Sequence, residues 1–343
     1  MKRIKVIEPR NMVIEEAPIP VPQEGEVLIE VELAGICGSD VGMYFGTMIG
    51  YATYPRVGGH EVSAIVVDTN NCDTDLKVGD RVTVSPYFNC GKCYTCRRGL
   101  TNCCQNNKTM GLPIDGIYAQ YVAVRADKVY KAEGLTAKET VLVEPFCIGW
   151  HAAKIAAPKK GERALVVGAG TIGTFTMVSL KLQGAEVYVA NRSPERLKMS
   201  KVMGADGVIC YGSDEELVEE MMKITDGDGF DILVDAVGNP KVLDNCLAGA
   251  CQGARVIEVG ITAQPADFPL SMVQKKEVKL LGSRNAVRSD FDEVMQIIRD
   301  KKVDIMPMIT AEYVIGDCLE VFEHAKESKG LKGIIDFSEE ANQ

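Results

Sequence analysis

Cys90, Cys93 and Cys96 are each separated by two residues, and Cys103 and Cys104 follow within eight more positions. Tight turns across such gaps aim successive thiolates at a common point. Four sulfur donors in one short loop suit a closed, tetrahedral structural zinc. The spacing leaves Cys103 and Cys104 both open as the fourth ligand. Lys92, Arg97, Arg98 and Lys108 lie nearby in sequence and would partly offset the negative charge of such a centre. A redox dithiol and an iron–sulfur cluster are the competing readings, the cluster being at odds with a mainly β setting.

A second set of metal-binding residue types is spread along the chain. Cys37 sits in Gly35-Ile-Cys37-Gly-Ser39-Asp40, His60 and Glu61 close Gly58-Gly-His60-Glu61, and Glu144 precedes Pro145. One thiol, one imidazole and one or two carboxylates suit a catalytic zinc that keeps a coordination position open. The chain has three histidines. His151 and His324 fall in helical stretches, which leaves His60 as the leading imidazole. By residue type alone, a lone Cys37 is more often packing than ligand, and Glu144-Pro145 more often a helix start.

A third feature is Gly168-Ala-Gly170-Thr171-Ile172-Gly173, a G-x-G-x-x-G run that follows a Val-rich segment and opens a helical pattern. Its first glycine would make the tight turn, its second admit a pyrophosphate, and its third pack helix on strand. Asn191 stands 18 positions after Gly173, where an acid would bond the ribose of NAD, and Arg192 follows it. A neutral amide does not repel a 2′-phosphate, and a guanidinium attracts one. NADP(H) is therefore favoured over NAD(H), with Arg196 close by; a solvated surface Arg192 is the alternative. Ala236 and Val237, and then Val259, Gly260 and Ile261, end two further strands, where open α/β sheets bind ligands.

Two kinds of scaffold must position these residues. Up to about residue 145 the chain reads as mostly β, as in Glu26-Val-Leu-Ile-Glu-Val-Glu-Leu33, which alternates at period two, and Ser63–Asp68. A helical pattern runs from Thr140 to Ala157 and stops at Pro158. From there strands (164–167, 186–190, 231–235, 255–259) alternate with helices (171–182, 194–203), the signature of βαβ units and a parallel sheet. After about residue 290 a helix over 292–300 leads into mixed elements that suit either half.

Composition narrows the function classes. The net charge of −10 over 343 residues, with a pI near 5.1, argues against a nucleic-acid binder. No apolar run reaches the ~18 residues of a membrane span, and the charged opening does not read as a signal peptide. The expected location is the cytoplasm, where twelve cysteines would stay largely unpaired.

Taken in order, these motifs resemble the zinc-dependent medium-chain dehydrogenase/reductase family along essentially the whole chain. The chain is most similar to the sorbitol (polyol) and hexonate 5-dehydrogenase branch: Glu144 stands where other alcohol dehydrogenases carry cysteine, and Gly282-Ser-Arg284-Asn285 follows the last strand. The resemblance implies an α/β plus β fold: a GroES-like, mainly β catalytic domain (1–147), an inserted Rossmann doubly wound parallel sheet (148–288) and a C-terminal segment (289–343) returning to the first. It selects Cys104 over Cys103 for the structural zinc, giving two zincs per chain. It places Cys37, His60 and either Glu61 or Glu144 on the catalytic zinc, Ser39 and Asp40 in proton relay and ligand support, and Arg284 against substrate.

The activity implied is hydride transfer between NAD(P) and a secondary alcohol of a polyol or sugar acid, sorbitol, L-gulonate or L-galactonate among them, by a homodimer or homotetramer. Two departures stand out. Gly42 replaces a histidine that many members use in proton relay, and Asn191 replaces the usual acid. The competing classes are a non-catalytic NAD(P)H-binding zinc protein, as redox sensor or structural element, and a zinc-free quinone reductase of the same fold.

Overall fold

The computed structural model describes residues 1–48, 50–268, 270–325 and 330–338. Part of the expected 289–343 segment, residues 326–329 and 339–343, therefore lies outside the described residues. The chain divides into two compact units: 1–144 with 287–301 and 308–343, and 145–286 with 302–307. The first division falls just before Pro145 rather than after residue 147, and residues 302–307 belong with the second unit.

The first unit is built on a sheet whose strands lie in the order Val129–Lys131, Arg81–Val84, Glu61–Asp68, Glu26–Gly35, Lys332–Asp336, Ile309–Val314. All neighbours are antiparallel except the last pair. The strand Glu26–Gly35 alternates as its sequence requires: Val27, Ile29 and Val31 are buried while Glu30 faces solvent. Lys332–Asp336 pairs directly with it, Ile334 opposite Gly35, so the tail completes this sheet. The helix Arg288–Arg299 joins the same unit, its Phe291 ring edge-on to Tyr130 at 5.1 Å.

The second unit is a six-stranded parallel sheet in the order Gly207–Cys210, Glu186–Asn191, Arg163–Val167, Phe230–Asp235, Ala250–Glu258, Lys279–Gly282. In chain order that is 3-2-1-4-5-6, the doubly wound arrangement, with its switch point beside the first strand. Ala164–Val167 is wholly buried, as expected for a strand covered on both faces. The helix Thr171–Leu182 has the expected bounds.

The helical pattern over 140–157 resolves into two helices, Ala137–Val141 and Val143–Ala156. Thr136 and Glu139 form a capping box that starts the first one early. Pro145 has no N–H to donate to the Val141 carbonyl, so the ladder breaks there, and the proline is tolerated in the first turn of the second helix.

Candidate active site

Cys37 follows the strand Glu26–Gly35 and caps the helix Gly38–Tyr44. His60 and Glu61 begin the neighbouring strand, where Glu61 lies in register with Gly35. A Cβ at Gly35 would lie 2.0 Å from Glu61 Oε2, so glycine is what leaves room for that carboxylate. Cys37, His60 and Glu61 each offer a ligand atom within 4.8 Å of the others. The residues meet because adjacent antiparallel strands bring Gly35 and Glu61, 26 positions apart, side by side.

Asp40, fully buried, braces this corner. It accepts the N–H groups of Cys37 and Gly59 at 3.0 Å each, and the Tyr118 hydroxyl lies 3.0 Å from both Asp40 Oδ2 and the Gly35 carbonyl. His60 Nδ1 faces Asp40 Oδ1 at 3.8 Å, too far for a hydrogen bond, and is buried with no donor or acceptor partner. Burial works against a charged His60, but Asp40, Cys37 and Glu144 together hold its pKa well above the usual histidine value. Surroundings this negative favour a divalent cation among soft and borderline donors, and the thiol–imidazole–carboxylate set fits zinc.

Two residues that sequence reasoning did not single out complete the corner. Lys332, buried at the start of the last strand, donates to both Glu61 oxygens at 2.6 Å and to the Ile36 carbonyl at 2.9 Å. Burial pushes its pKa down, and Glu61 and Cys37 more than restore it. No signal within a hundred residues of Glu61 announces this lysine; sheet topology alone delivers it. Tyr87 donates a short hydrogen bond to Glu144 Oε1. Burial raises the Glu144 pKa to about 7, opposed by His60. Glu144 thus couples to the cluster from the first turn of its helix, while Glu61 is the acid within 4.8 Å of Cys37 and His60.

Ser39 is half-buried in the first turn of Gly38–Tyr44. One turn on, a Cβ at Gly42 would meet Met48 Cγ at 2.9 Å and Thr47 Oγ1 at 3.1 Å, so those side chains occupy the space a larger residue would need. Arg284 is exposed just beyond Lys279–Gly282, in the second unit.

The ligand atoms of Cys90, Cys93, Cys96 and Cys104 also lie within 4.8 Å of one another, and Cys103 is exposed outside the group. Backbone N–H groups of Cys90 and Asn106 point at Cys104 Sγ, 3.3 Å each. The Thr95 hydroxyl and surrounding amides lower the Cys93 pKa to about 5, whereas burial pushes Cys104 up to about 11. The four donors fit a closed zinc–tetrathiolate site. Lys92, Arg97, Arg98 and Lys108 are all exposed. The buried cation here is Lys128, which bonds Asn89 at 2.6 Å; burial lowers its pKa while Cys96 and Cys104 raise it.

In the second unit, Gly168 turns at φ +112°, and a Cβ on Gly173 would fall 1.8 Å from the Gly168 carbonyl oxygen. Thr171 and Ile172 open the helix that Gly170 caps. Gly168 N–H bonds the Ala190 carbonyl at 2.8 Å and Ala236 N–H the Val167 carbonyl at 3.0 Å, which gathers the ends of three strands. Val259 and Gly260 donate to the Asp235 carbonyl at 3.0 Å each, and Val237 and Ile261 are exposed beside that turn. Asn191 Oδ1 accepts the Ser193 N–H at 2.7 Å. Arg192 lies 3.3 Å from Asp214, and Arg196 N–H bonds Ser193 Oγ at 3.4 Å.

The chain as a whole is similar to known proteins. Residues 23–134 match the alcohol dehydrogenase GroES-like domain family, and residues 171–300 the zinc-binding dehydrogenase family. The chain is 32% identical to L-galactonate-5-dehydrogenase of Escherichia coli K12, over 96% of this chain and 97% of the relative. It is 30% identical to sorbitol dehydrogenase of Bacillus subtilis 168, over 96% and 94%. A crystal structure of an E. coli CFT073 protein described as a short chain alcohol dehydrogenase, in complex with NADH, superposes with a TM-score of 0.91 at 30% identity, covering 98% of this chain and 99% of that one. The chain belongs to the zinc-type medium-chain dehydrogenase/reductase family and is an oxidoreductase of CH–OH donors that uses zinc and a nicotinamide dinucleotide.

Proposed function

We propose that the protein interconverts a secondary alcohol and a ketone on a polyol or sugar acid, an L-galactonate- or L-gulonate-like hexonate or a sorbitol-like polyol. The convergence of Cys37, His60 and Glu61 within 4.8 Å carries this reading. Two zincs per chain, one here and one among the four lobe cysteines, go with it. When bound, zinc lowers the pKa of an alcohol hydroxyl and polarises a carbonyl, and the nicotinamide exchanges the hydride.

The chain's own residues do the positioning. Cys37 and His60 supply the soft and borderline donors, with Glu61 or Glu144 as the acid. Asp40 fixes the backbone at Cys37 and Gly59, and so the direction of both donors. Lys332 pairs with both Glu61 oxygens and pins the side chain. Ser39 Oγ is the assigned first acceptor of the hydroxyl proton, since position 42 has no side chain to offer. Arg284 is assigned to a substrate carboxylate. Asn191, Arg192 and Arg196 favour NADP(H) over NAD(H), and the glycine turn with Ala236, Val237, Val259, Gly260 and Ile261 would hold the dinucleotide.

The edge strand Lys279–Gly282, with Leu280 41% exposed, supports a homodimer or homotetramer. No helix among the described residues is long and apolar enough to cross a membrane. The unpaired thiols fit a reducing cytoplasm.

A screen of sugar acids and polyols against both cofactors, read by reduced-nicotinamide absorbance, tests the proposal. Turnover with at least one such substrate, lost in Cys37→Ala, is expected. Turnover that survives Cys37→Ala and zinc chelation overturns it. Arg284→Leu should reduce activity on acids more than on neutral polyols.

A further inference from the structure

The strands Glu186–Asn191 and Gly207–Cys210 lie side by side, with Asn191 opposite Cys210. Tyr211 therefore emerges beside the tip of the second Rossmann strand, where a dinucleotide presents its adenosine ribose. Three residues later, Asp214 begins the helix Asp214–Ile224. Arg192 spans this gap: its Nη2 lies 3.3 Å from Asp214 Oδ1, and its guanidinium carbon sits 5.4 Å from the Tyr211 ring centre.

The two ends of this ion pair are not equally free. Asp214 Oδ1 also accepts from Asn245 Nδ2 at 3.0 Å, and Asn245 is buried in the helix Pro240–Ala248. The Asp214 side chain is 25% exposed, that of Arg192 62%. The carboxylate is anchored and the arginine is the member that can swing. A 2′-phosphate that recruits Arg192 must draw it away from Asp214 and carry its own negative charge toward an acid that cannot retreat. A ribose with a free 2′-hydroxyl meets neither obstacle.

We propose that Asp214 is a specificity-determining residue: its anchored carboxylate opposes the 2′-phosphate that Arg192 attracts, and so sets how far the protein discriminates NADP(H) from NAD(H). The inference rests on the reading above that the tip of Glu186–Asn191 meets the adenosine ribose. Whichever cofactor the natural protein prefers, the balance between these two side chains fixes the margin.

The test is direct titration of the purified, metal-loaded protein with NADPH and with NADH, followed by nicotinamide fluorescence, which needs no substrate. In Asp214→Asn the ratio of dissociation constants, NADH over NADPH, is expected to rise about tenfold, the scale of removing one unit charge ~6 Å from a doubly charged group in a wet surface site. Glu219→Gln makes the same change of net charge from an exposed position on the same helix, away from Arg192, and should leave the ratio within about twofold. An unchanged or falling ratio in Asp214→Asn, or an equal rise in Glu219→Gln, overturns the proposal. The ratio in the unaltered protein answers the NADP(H) preference proposed above; the change in that ratio answers this one.

Discussion

Each unit buries acidic side chains at a strand end, and the two do it by opposite means. In the first, the Glu61 carboxylate is clamped by the Lys332 ammonium, 2.6 Å from both oxygens. In the second, Asp235 and Glu258 are register partners on adjacent parallel strands, with no cation in an ion pair to either among the described residues. Asp235 Oδ1 takes the N–H groups of Val237 at 2.7 Å and Gly238 at 3.0 Å, while Asp235 Oδ2 and Glu258 Oε1 are buried with no donor. A proton held between the two carboxyls would supply that donor, and desolvation raises the Glu258 pKa to about 7. One unit meets its buried acid with a counter-ion; the other, by raising the carboxyl pKa, favours protonation instead. The first arrangement keeps a carboxylate–ammonium pair beside metal-binding donors; the second sets two carboxyls against the Val237–Gly238 backbone with no counter-ion among the described residues.

The largest loss of function falls at the metal-binding side of the first cluster. Cys37→Ala should lower turnover by about a thousandfold or more, because the site loses its thiolate donor and with it several kcal/mol of transition-state stabilisation. Zinc measured by emission spectroscopy should fall by about one equivalent per chain, with the four lobe cysteines retaining theirs. Full zinc content in this variant would remove Cys37 from the ligand set.

The next largest effect is on stability. Lys332→Met leaves Glu61 buried without its cation and should cost about 3–5 kcal/mol in denaturant unfolding of the zinc-loaded protein, whereas Lys332→Arg keeps a charge there and should cost less than half as much. Adding Glu61→Leu to Lys332→Met should recover part of the loss, since the uncompensated charge is then gone. A double variant as unstable as the sum of its parts would show that the two side chains act independently.

The same contrast explains what the sequence made legible. The glycine turn reads directly because strand, turn and helix are consecutive and each glycine answers a local steric demand, such as the 1.8 Å approach of position 173 to the Gly168 oxygen. The lobe cysteines read directly for the same reason, and the backbone selects Cys104 by turning Cys103 outward. Cys37, His60 and Glu61 were candidates by type, and the sheet register supplied their proximity. Lys332 and Lys128 were invisible because an isolated lysine carries no motif: Lys332 is buried by a strand that pairs with Glu26–Gly35 across most of the chain, and Lys128 lies in a turn leading into the strand that pairs with Arg81–Val84. The pair Asp235–Glu258 escaped because both residues looked like ordinary strand ends until parallel pairing set them side by side. The split at Leu142 was missed because the apolar pattern runs unbroken through a proline whose effect falls on the backbone ladder.

The smallest expected effect tests the second arrangement. Glu258 binds its proton more tightly folded, with a pKa near 7, than unfolded, where 4.5 is ordinary for a glutamic acid. The folded protein therefore holds more protons than the unfolded chain between those values, and stability falls as pH rises through that window, then levels off above about 7. Because the two carboxyls interact, the titration belongs to the pair rather than to Glu258 alone. Glu258→Gln carries an amide that can donate to Asp235 at every pH. Its melting temperature should match that of the unaltered protein near about pH 5, where the natural pair keeps its proton, and exceed it by a few degrees near about pH 8, where the pair is forced to ionise. Melting curves that stay parallel across the range would mean that Glu258 is not the proton-holding partner of Asp235. A variant less stable at high pH would mean that the ionised glutamate has a cationic partner, which would make the second unit's solution the same as the first's.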